Sequence, residues 1–185
     1  MKMNNNKILH TERLLLRPWT EADAESLYKY AKDPEIGIPA GWPPHKSIEE
    51  SLDIIKNVFT GNECYAICEK ENNEAIGAVE LKLKGYTDMT ERDDECELGY
   101  WLGKPFWGRG YMPEVAMELI RHGFEDLGMT TIWCGYYEGN NKSKRVQEKM
   151  GFKYHHTCNE VPVPLLKEVR VGHTNYMTVE MWNKK

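Results

Sequence analysis

Between Pro105 and Phe124 the chain reads PFWGRGYMPEVAMELIRHGF. Two glycines bracket an arginine, and an apolar helical pattern follows. Glycines ahead of a helix let the backbone approach a ligand closely, and the first helical N–H groups carry no internal partner and a partial positive charge. Such a turn suits a phosphate. A dinucleotide fingerprint GxGxxG would need a third glycine where Pro113 stands. A P-loop GxxxxGK[ST] is approached by GKPFWGRG, residues 103–110, but Arg109 stands for the lysine and Gly110 for the magnesium-binding hydroxyl. Both are poor matches; a pyrophosphate loop of a third kind and a plain strand-to-helix turn remain.

A second polar cluster follows one strand later, in NNKSKRVQEKMGF. Asn140 or Asn141 caps a helix there, and Ser143 falls in its first turn. Lys142, Lys144 and Arg145 crowd the same turn, where cations oppose the helix dipole at a cost of about 0.3–1 kcal/mol each. A phosphate nearby would offset that cost; a solvated face is the plainer reading. His155 and His156 lack a partnering cysteine or carboxylate pattern, so no metal is assigned.

These residues must be held by a fold. The chain has 185 residues, 41% hydrophobic and 11% aromatic, enough for one domain with a proper core, 1–185. Residues 12–19 (ERLLLRPW) read as a strand, and Thr20 caps the helix after it. Residues 37–46 (GIPAGWPPHK) read as a loop because Pro43 and Pro44 exclude regular structure. Ser47 and Glu50 form a capping-box pattern for a second helix reaching about Thr60. ECYAICEK and EAIGAVELKL are strands around a turn, and CELGYWLG is another. Pro113 suits the first position of the next helix, whose apolar face is Ala116, Leu119, Ile120, Phe124 and Leu127. TTIWCGYY, FKYHHTC and NYMTVEMW complete the strands. The expectation is an α+β (mixed α/β) fold with a mostly antiparallel sheet of about seven strands flanked by four helices, and one parallel crossover from Cys96 to Tyr137.

ELGYWLGKPFWGRGYMPEV followed by NNKSKRVQEKMGF resembles the GNAT acyltransferase superfamily, most closely its RimJ/RimL branch of ribosomal-protein alanine N-acetyltransferases, and TERLLLRPWTEADAESLY resembles that branch's opening. The resemblance covers nearly the whole chain. It implies the GNAT acyl-CoA N-acyltransferase fold, with the N–H groups of about Gly108 to Met112 holding the pyrophosphate of acetyl-CoA. Aligned with the superfamily loop Q/R-x-x-G-x-G/A, the chain has Trp107, Gly108, Arg109, Gly110, Tyr111 and Met112. By the same resemblance the backbone N–H of Tyr100 faces the acetyl carbonyl, and main-chain groups of Trp101 and Leu102 pair with pantetheine amides as an added strand would. Asn140 meets the pantetheine arm, and Ser143 lies near the thiol. Many relatives carry a proton-donating tyrosine where this chain has Gln147; Ser143 is the candidate acid here.

Acyl transfer to an amine needs a base, a stabilised carbonyl oxygen and a leaving thiolate. An α-amine with a pKa near ~8 is roughly a tenth neutral at pH 7, whereas a lysine is neutral less than about one time in a thousand. A weak base therefore serves an α-amine. Glu97, ten positions before Trp107, is the first candidate base and Glu80 the second. Strand alternation puts Glu97 on the face opposite Tyr100 and Leu102. In relatives the first two helices and their loop supply the acceptor site, which singles out Trp42 and His45; a packed tryptophan and an exposed histidine are the alternative.

The reading is an acetyl-CoA-dependent N-acetyltransferase acting on an amine, first the N-terminal α-amine of a protein or peptide. The alternatives are a small-molecule amine or amino acid as acceptor, a non-catalytic acyl-CoA-binding sensor, and a nucleotide-hydrolysing protein. A net charge of -5 gives no basic excess for nucleic acid. No apolar run is long enough for a membrane span and no signal peptide begins the chain. Five cysteines without a CxxC fit reduced thiols and a cytoplasmic setting. Oligomeric state is left open, a homodimer included.

Overall fold

A computed structural model describes residues 7–184. The chain opens with β1 (Leu9–His10) and β2 (Leu14–Pro18), then α1 (Ala24–Ala31), α2 (Pro34–Ala40) and α3 (Ile48–Asn57). Three strands follow, β3 (Cys64–Glu69), β4 (Ala75–Lys82) and β5 (Glu95–Leu102). After a short turn come α4 (Tyr111–Arg121), β6 (Thr131–Tyr137), α5 (Asn141–Met150), β7 (Lys153–Val163), β8 (Glu168–Thr178) and α6 (Val179–Trp182). The strands form one eight-stranded sheet ordered β1-β2-β3-β4-β5-β6-β8-β7. Neighbours pair antiparallel except β5 and β6, which run parallel and enclose α4 in their crossover. This is the expected mixed sheet with one more strand, and among the described residues six α-helices stand where four were expected.

Side-chain alternation along β5 sorts the two faces. Leu98 and Leu102 lie against α4, whose Val115, Ala116, Leu119 and Ile120 are fully buried in the main core. Burial of each branched side chain among them stabilises by about 2 kcal/mol. Trp101 points the other way, into a cluster of Ala24, Leu27, Ala31 and Ile55 from α1 and α3, with Trp19, Trp42 and Phe59 packed around it. The sheet thus carries α4 on one face and α1 and α3 on the other.

Three local expectations change. Residues 37–46 are not all loop: α2 ends at Ala40, capped by the Asp33 side chain, which accepts from the Glu35 N–H, and closed by Gly41 at φ 94°. Pro34 at its start and Pro39 in its last turn are tolerated in so short a helix, because few internal N–H bonds are lost. α4 begins at Tyr111, with left-handed Gly110 as its N-cap, so Pro113 is its third residue. In the C-terminal segment, β8 stops at Thr178, whose hydroxyl accepts from the Met181 N–H and starts α6 where a continuous strand was expected.

The entry to α1 rests on a shielded ion pair. Arg17 donates from both terminal nitrogens to Asp23 at 2.7 Å, and the two side chains are only 13% and 8% exposed. Asp23 also accepts from the Thr20 N–H and hydroxyl. Burial alone would raise the Asp23 carboxyl, but Arg17 and Thr20 outweigh it and hold it below the ordinary value. Asp23→Ala should therefore cost about 3 kcal/mol in urea denaturation, since it strands a guanidinium. With the folded-state pKa depressed, the wild-type contribution is complete above the unfolded carboxyl's pKa and fades as pH falls through the folded one. The deficit of the variant should shrink over that same acid range.

Candidate active site

Gly108 and Gly110 both adopt left-handed backbone, at φ 75° and 76°, which costs a residue with a Cβ roughly 1–2 kcal/mol. A Cβ on Gly108 would meet nothing within 4 Å, so the loop faces open space there. After the Trp107 N–H, bonded to the Lys104 carbonyl at 3.2 Å, the next N–H of this stretch with a backbone acceptor is that of Glu114, bonded to Gly110. The intervening N–H groups, at the start of α4, have no backbone acceptor, which is the arrangement an anion cradle requires. Trp107 anchors it: its indole N–H donates to the Leu102 carbonyl at 2.7 Å, and Lys142 of α5 sits 3.6 Å from its ring centroid. The Arg109 side chain lies over the Phe106 ring, 5.4 Å from its centroid.

The cradle opens beside a gap in the sheet. β5 and β6 share only the pairs Glu95–Thr131, Cys96–Ile132 and Glu97–Trp133, although β5 runs on to Leu102 and β6 to Tyr137. The bond from the Gly103 N–H to the Ile76 carbonyl sets the alternation along β5. By it, the backbone groups of Gly99 and Trp101 point to β4, and those of Leu98, Tyr100 and Leu102 point to the gap. The Leu98 carbonyl is met there by the Cys134 thiol at 3.3 Å, and the Leu102 carbonyl is taken by Trp107. The N–H groups of Tyr100 and Leu102 are left facing the gap. Trp101 is a correction: its backbone belongs to the β4 ladder and its ring packs on Trp42, 5.9 Å between centroids.

α5 closes the far side of the gap. Asn140 caps it, accepting from the Ser143 N–H at 3.2 Å, and donates to the Pro39 carbonyl of α2. The Ser143 hydroxyl meets the Tyr100 hydroxyl at 2.9 Å and accepts from Gln147 at 3.1 Å. Gln147 is fully buried; it also donates to the Gly135 carbonyl and accepts from Asn175. The residue in place of the relatives' tyrosine is thus a structural bridge, and a phenol reaches Ser143 from β5. Burial pushes the Tyr100 phenol well above its ordinary pKa.

The opposite face carries two carboxylates. Glu97, 12% exposed, accepts from Lys82 at 2.9 Å and from the Thr87 hydroxyl at 2.6 Å, so both oxygens are engaged. Glu80 lies on β4 opposite Gly99, and a Cβ on Gly99 would come within 3.1 Å of its carboxylate. A third of the Glu80 side chain is exposed, and Lys82 is 3.8 Å away. Burial raises the Glu80 carboxyl, the Lys82 cation pulls it down, and the net is a pKa above the ordinary value. It lines a depression of about 70 Å³ with Val58, Cys64, Lys82 and Tyr86. A wider groove of about 430 Å³ near Ala22 and Glu74 is less suited, since Asp23, Lys29 and Glu74 are already paired.

Trp42 stays half-buried beside Trp101 on this face. His45 is a correction: it is buried, bonded to the Ser51 hydroxyl at 2.8 Å and packed on Trp42, with burial lowering its pKa. It props the loop between α2 and α3 from within, held by Ser51 of α3. Nothing local marks Lys82, Thr87 and Arg13, all ordinary polar residues in a strand or loop; the alternating ELK after GAV is the one hint that Lys82 shares a face with Glu80. Among the described residues no group of three or more His, Cys, Asp or Glu is placed to hold a metal. No helix among them is long and apolar enough to cross a membrane.

Residues 13–153 match the family profile described as acetyltransferase (GNAT) domain, and the chain belongs to that family. "Uncharacterized N-acetyltransferase p20" of Bacillus licheniformis is 29% identical over 150 residues, 78% of this chain and 82% of the relative. "FsC-acetyl coenzyme A-N(2)-transacetylase" of Aspergillus fumigatus is 26% identical over 191 aligned positions, 98% of this chain and 80% of the relative. A GNAT-family acetyltransferase of Bacillus anthracis superposes with a TM-score of 0.78 at 20% identity, covering 94% of this chain and 99% of that one. The protein is an acetyltransferase of a family that uses acetyl-CoA.

The Gln147 bridge makes a direct prediction. Gln147→Leu keeps the volume but leaves the Asn175 amide and the Gly135 carbonyl unpaired, and should cost about 2 kcal/mol in chemical denaturation. A variant as stable as wild type would mean that water replaces the bridge.

Proposed function

We propose that this chain transfers the acetyl group of acetyl-CoA to a primary amine, first the α-amine of a protein or peptide. The observation that carries the proposal is the gap between β5 and β6, with the glycine loop following β5 and Glu80 paired opposite Gly99 on the neighbouring strand β4. Acetyl-CoA supplies the acetyl group as a thioester. The loop from Gly108 to Met112 binds its pyrophosphate through backbone donors, and the Tyr100 N–H polarises the thioester carbonyl.

Glu80 is the better base of the two carboxylates. Glu97 already accepts from Lys82 and Thr87, whereas Glu80 has a raised pKa and partial exposure. The neutral amine nitrogen attacks the thioester carbon. A C–N bond forms, the C–S bond breaks, and the surplus proton on nitrogen goes to the Glu80 carboxylate and on to water. The sulfur leaves with the bonding pair as thiolate, and the Ser143 and Tyr100 hydroxyls stand ready to donate a hydrogen bond to it. Trp42 and Trp101 wall the acceptor side.

A small-molecule amine or amino acid is the second reading. The Aspergillus relative supports it, since its name puts the transfer on an N(2) nitrogen. Thiol release over peptides with varied N-terminal residues, free amino acids, polyamines and aminoglycosides decides between them. Peptides should support the fastest turnover; free amino acids or polyamines outpacing every peptide would favour the second reading, and no thiol release with any amine would sink both.

With the best acceptor, Glu80→Gln should lower kcat/KM about 100-fold or more, and Glu97→Gln far less. Activity should fall as pH drops through the raised Glu80 pKa, because the base must be ionised. Lys82→Met removes the nearby cation that favours ionised Glu80, so the acid limb of the pH–rate profile should move to higher pH. An unmoved limb would exclude Glu80 as the titrating base.

A further inference from the structure

The start of β2 is strapped onto the glycine loop by one side chain. Arg13 donates through Nη1 to the Arg109 carbonyl at 2.9 Å. Its Nε and Nη2 hold Glu114 Oε2 at 2.7 and 2.6 Å, and its backbone N–H holds Oε1 at 2.8 Å. Thr11 donates to the same Oε1 at 2.6 Å. The guanidinium rests on the Tyr111 ring, 4.6 Å from its centroid, and Nη2 is 3.5 Å from where a Cβ on Gly110 would stand.

Two consequences follow from elementary geometry and charge. The Arg109 carbonyl and the Gly110 N–H are the two ends of one trans peptide, so they point in opposite directions. Holding the carbonyl on the β2 side turns the N–H away from β2. Gly110, one of the two hinges of that plane, has no Cβ to restrict its rotation, so the Arg13 bond supplies the restraint there. The second consequence concerns Glu114, a carboxylate in the first turn of α4, next to the cradle. Unneutralised, it would repel a phosphate there; paired with Arg13 it does not.

We propose that Arg13 is a positioning residue for the donor: it orients the Arg109–Gly110 peptide and neutralises Glu114, so that the loop presents N–H groups to a pyrophosphate. The inference rests on the reading of that loop as the pyrophosphate site. It concerns affinity for one part of the donor, not the acyl chemistry at the gap.

The test uses two donors, acetyl-CoA and S-acetylpantetheine, which keeps the thioester and lacks the pyrophosphate. Arg13→Ala should raise KM for acetyl-CoA about tenfold or more with kcat within about twofold, and leave kcat/KM for S-acetylpantetheine at the wild-type value. Arg13→Lys keeps the charge but cannot hold Glu114 and the carbonyl with one planar fork, so its KM should stay nearer to that of Arg13→Ala than to wild type. Equal losses on both donors would make Arg13 merely structural, and unchanged kinetics on both, or full rescue by lysine, would overturn its positioning role. If the wild-type enzyme itself fails to distinguish the two donors in KM, the pyrophosphate reading of the loop is what falls.

Discussion

β5 and β6 share three pairs and then part, and the site depends on that parting. A sheet interior normally satisfies every backbone group, so an unzipped pair in mid-sheet leaves donors that something else must meet. Part of the need is met from within. The Cys134 thiol caps the Leu98 carbonyl, and the Trp107 indole caps that of Leu102. The N–H groups of Tyr100 and Leu102 face the gap without a strand partner, which is the backbone pattern that an extended amide-bearing ligand complements.

What keeps the gap from closing is a set of cross-braces. On the α4 and α5 side, the buried chain from Asn175 through Gln147 and Ser143 to Tyr100 ties β8, α5 and β5 together. On the other side, Thr87 holds Glu97 while Met89 lies against Gly135, where a Cβ would come within 2.6 Å of its methyl. The segment between β4 and β5 thus lies across the sheet at the point where the strands separate. Lys82 and Glu97 sit beside Thr87 of that segment, where their mutual charges are screened less than at an open surface.

The sequence was most legible where local chemistry decides structure. Asn140 as cap, Gly151 as stop and the Ala116, Leu119 and Ile120 part of the α4 stripe are each read from a few adjacent residues, and the structure has them as expected; Phe124 falls past α4, in the π-helical turn His122–Asp126, and Leu127 after that turn. The glycine loop was legible for the same reason, since only glycine takes positive φ freely. α2 was hidden by its prolines, although Asp33, Pro34 and Gly41 carry the cap signals that mark it. The hairpin of β7 and β8 was read short because nearly all of β7 is exposed, so no alternation of apolar and polar residues marks its length. The partners of the site residues were the least legible. His45 inside, Gln147 as a bridge and Glu97 locked by Lys82 and Thr87 are products of sheet register and loop path, which no local pattern encodes.

The most direct test of the account is amide hydrogen exchange in the presence and absence of CoA, resolved by residue. The account predicts slowed exchange at Tyr100 and Leu102, and across the loop from Gly108 to Met112. Protection confined to the groove near Ala22 and Glu74, with the β5 gap and the glycine loop unchanged, would contradict it.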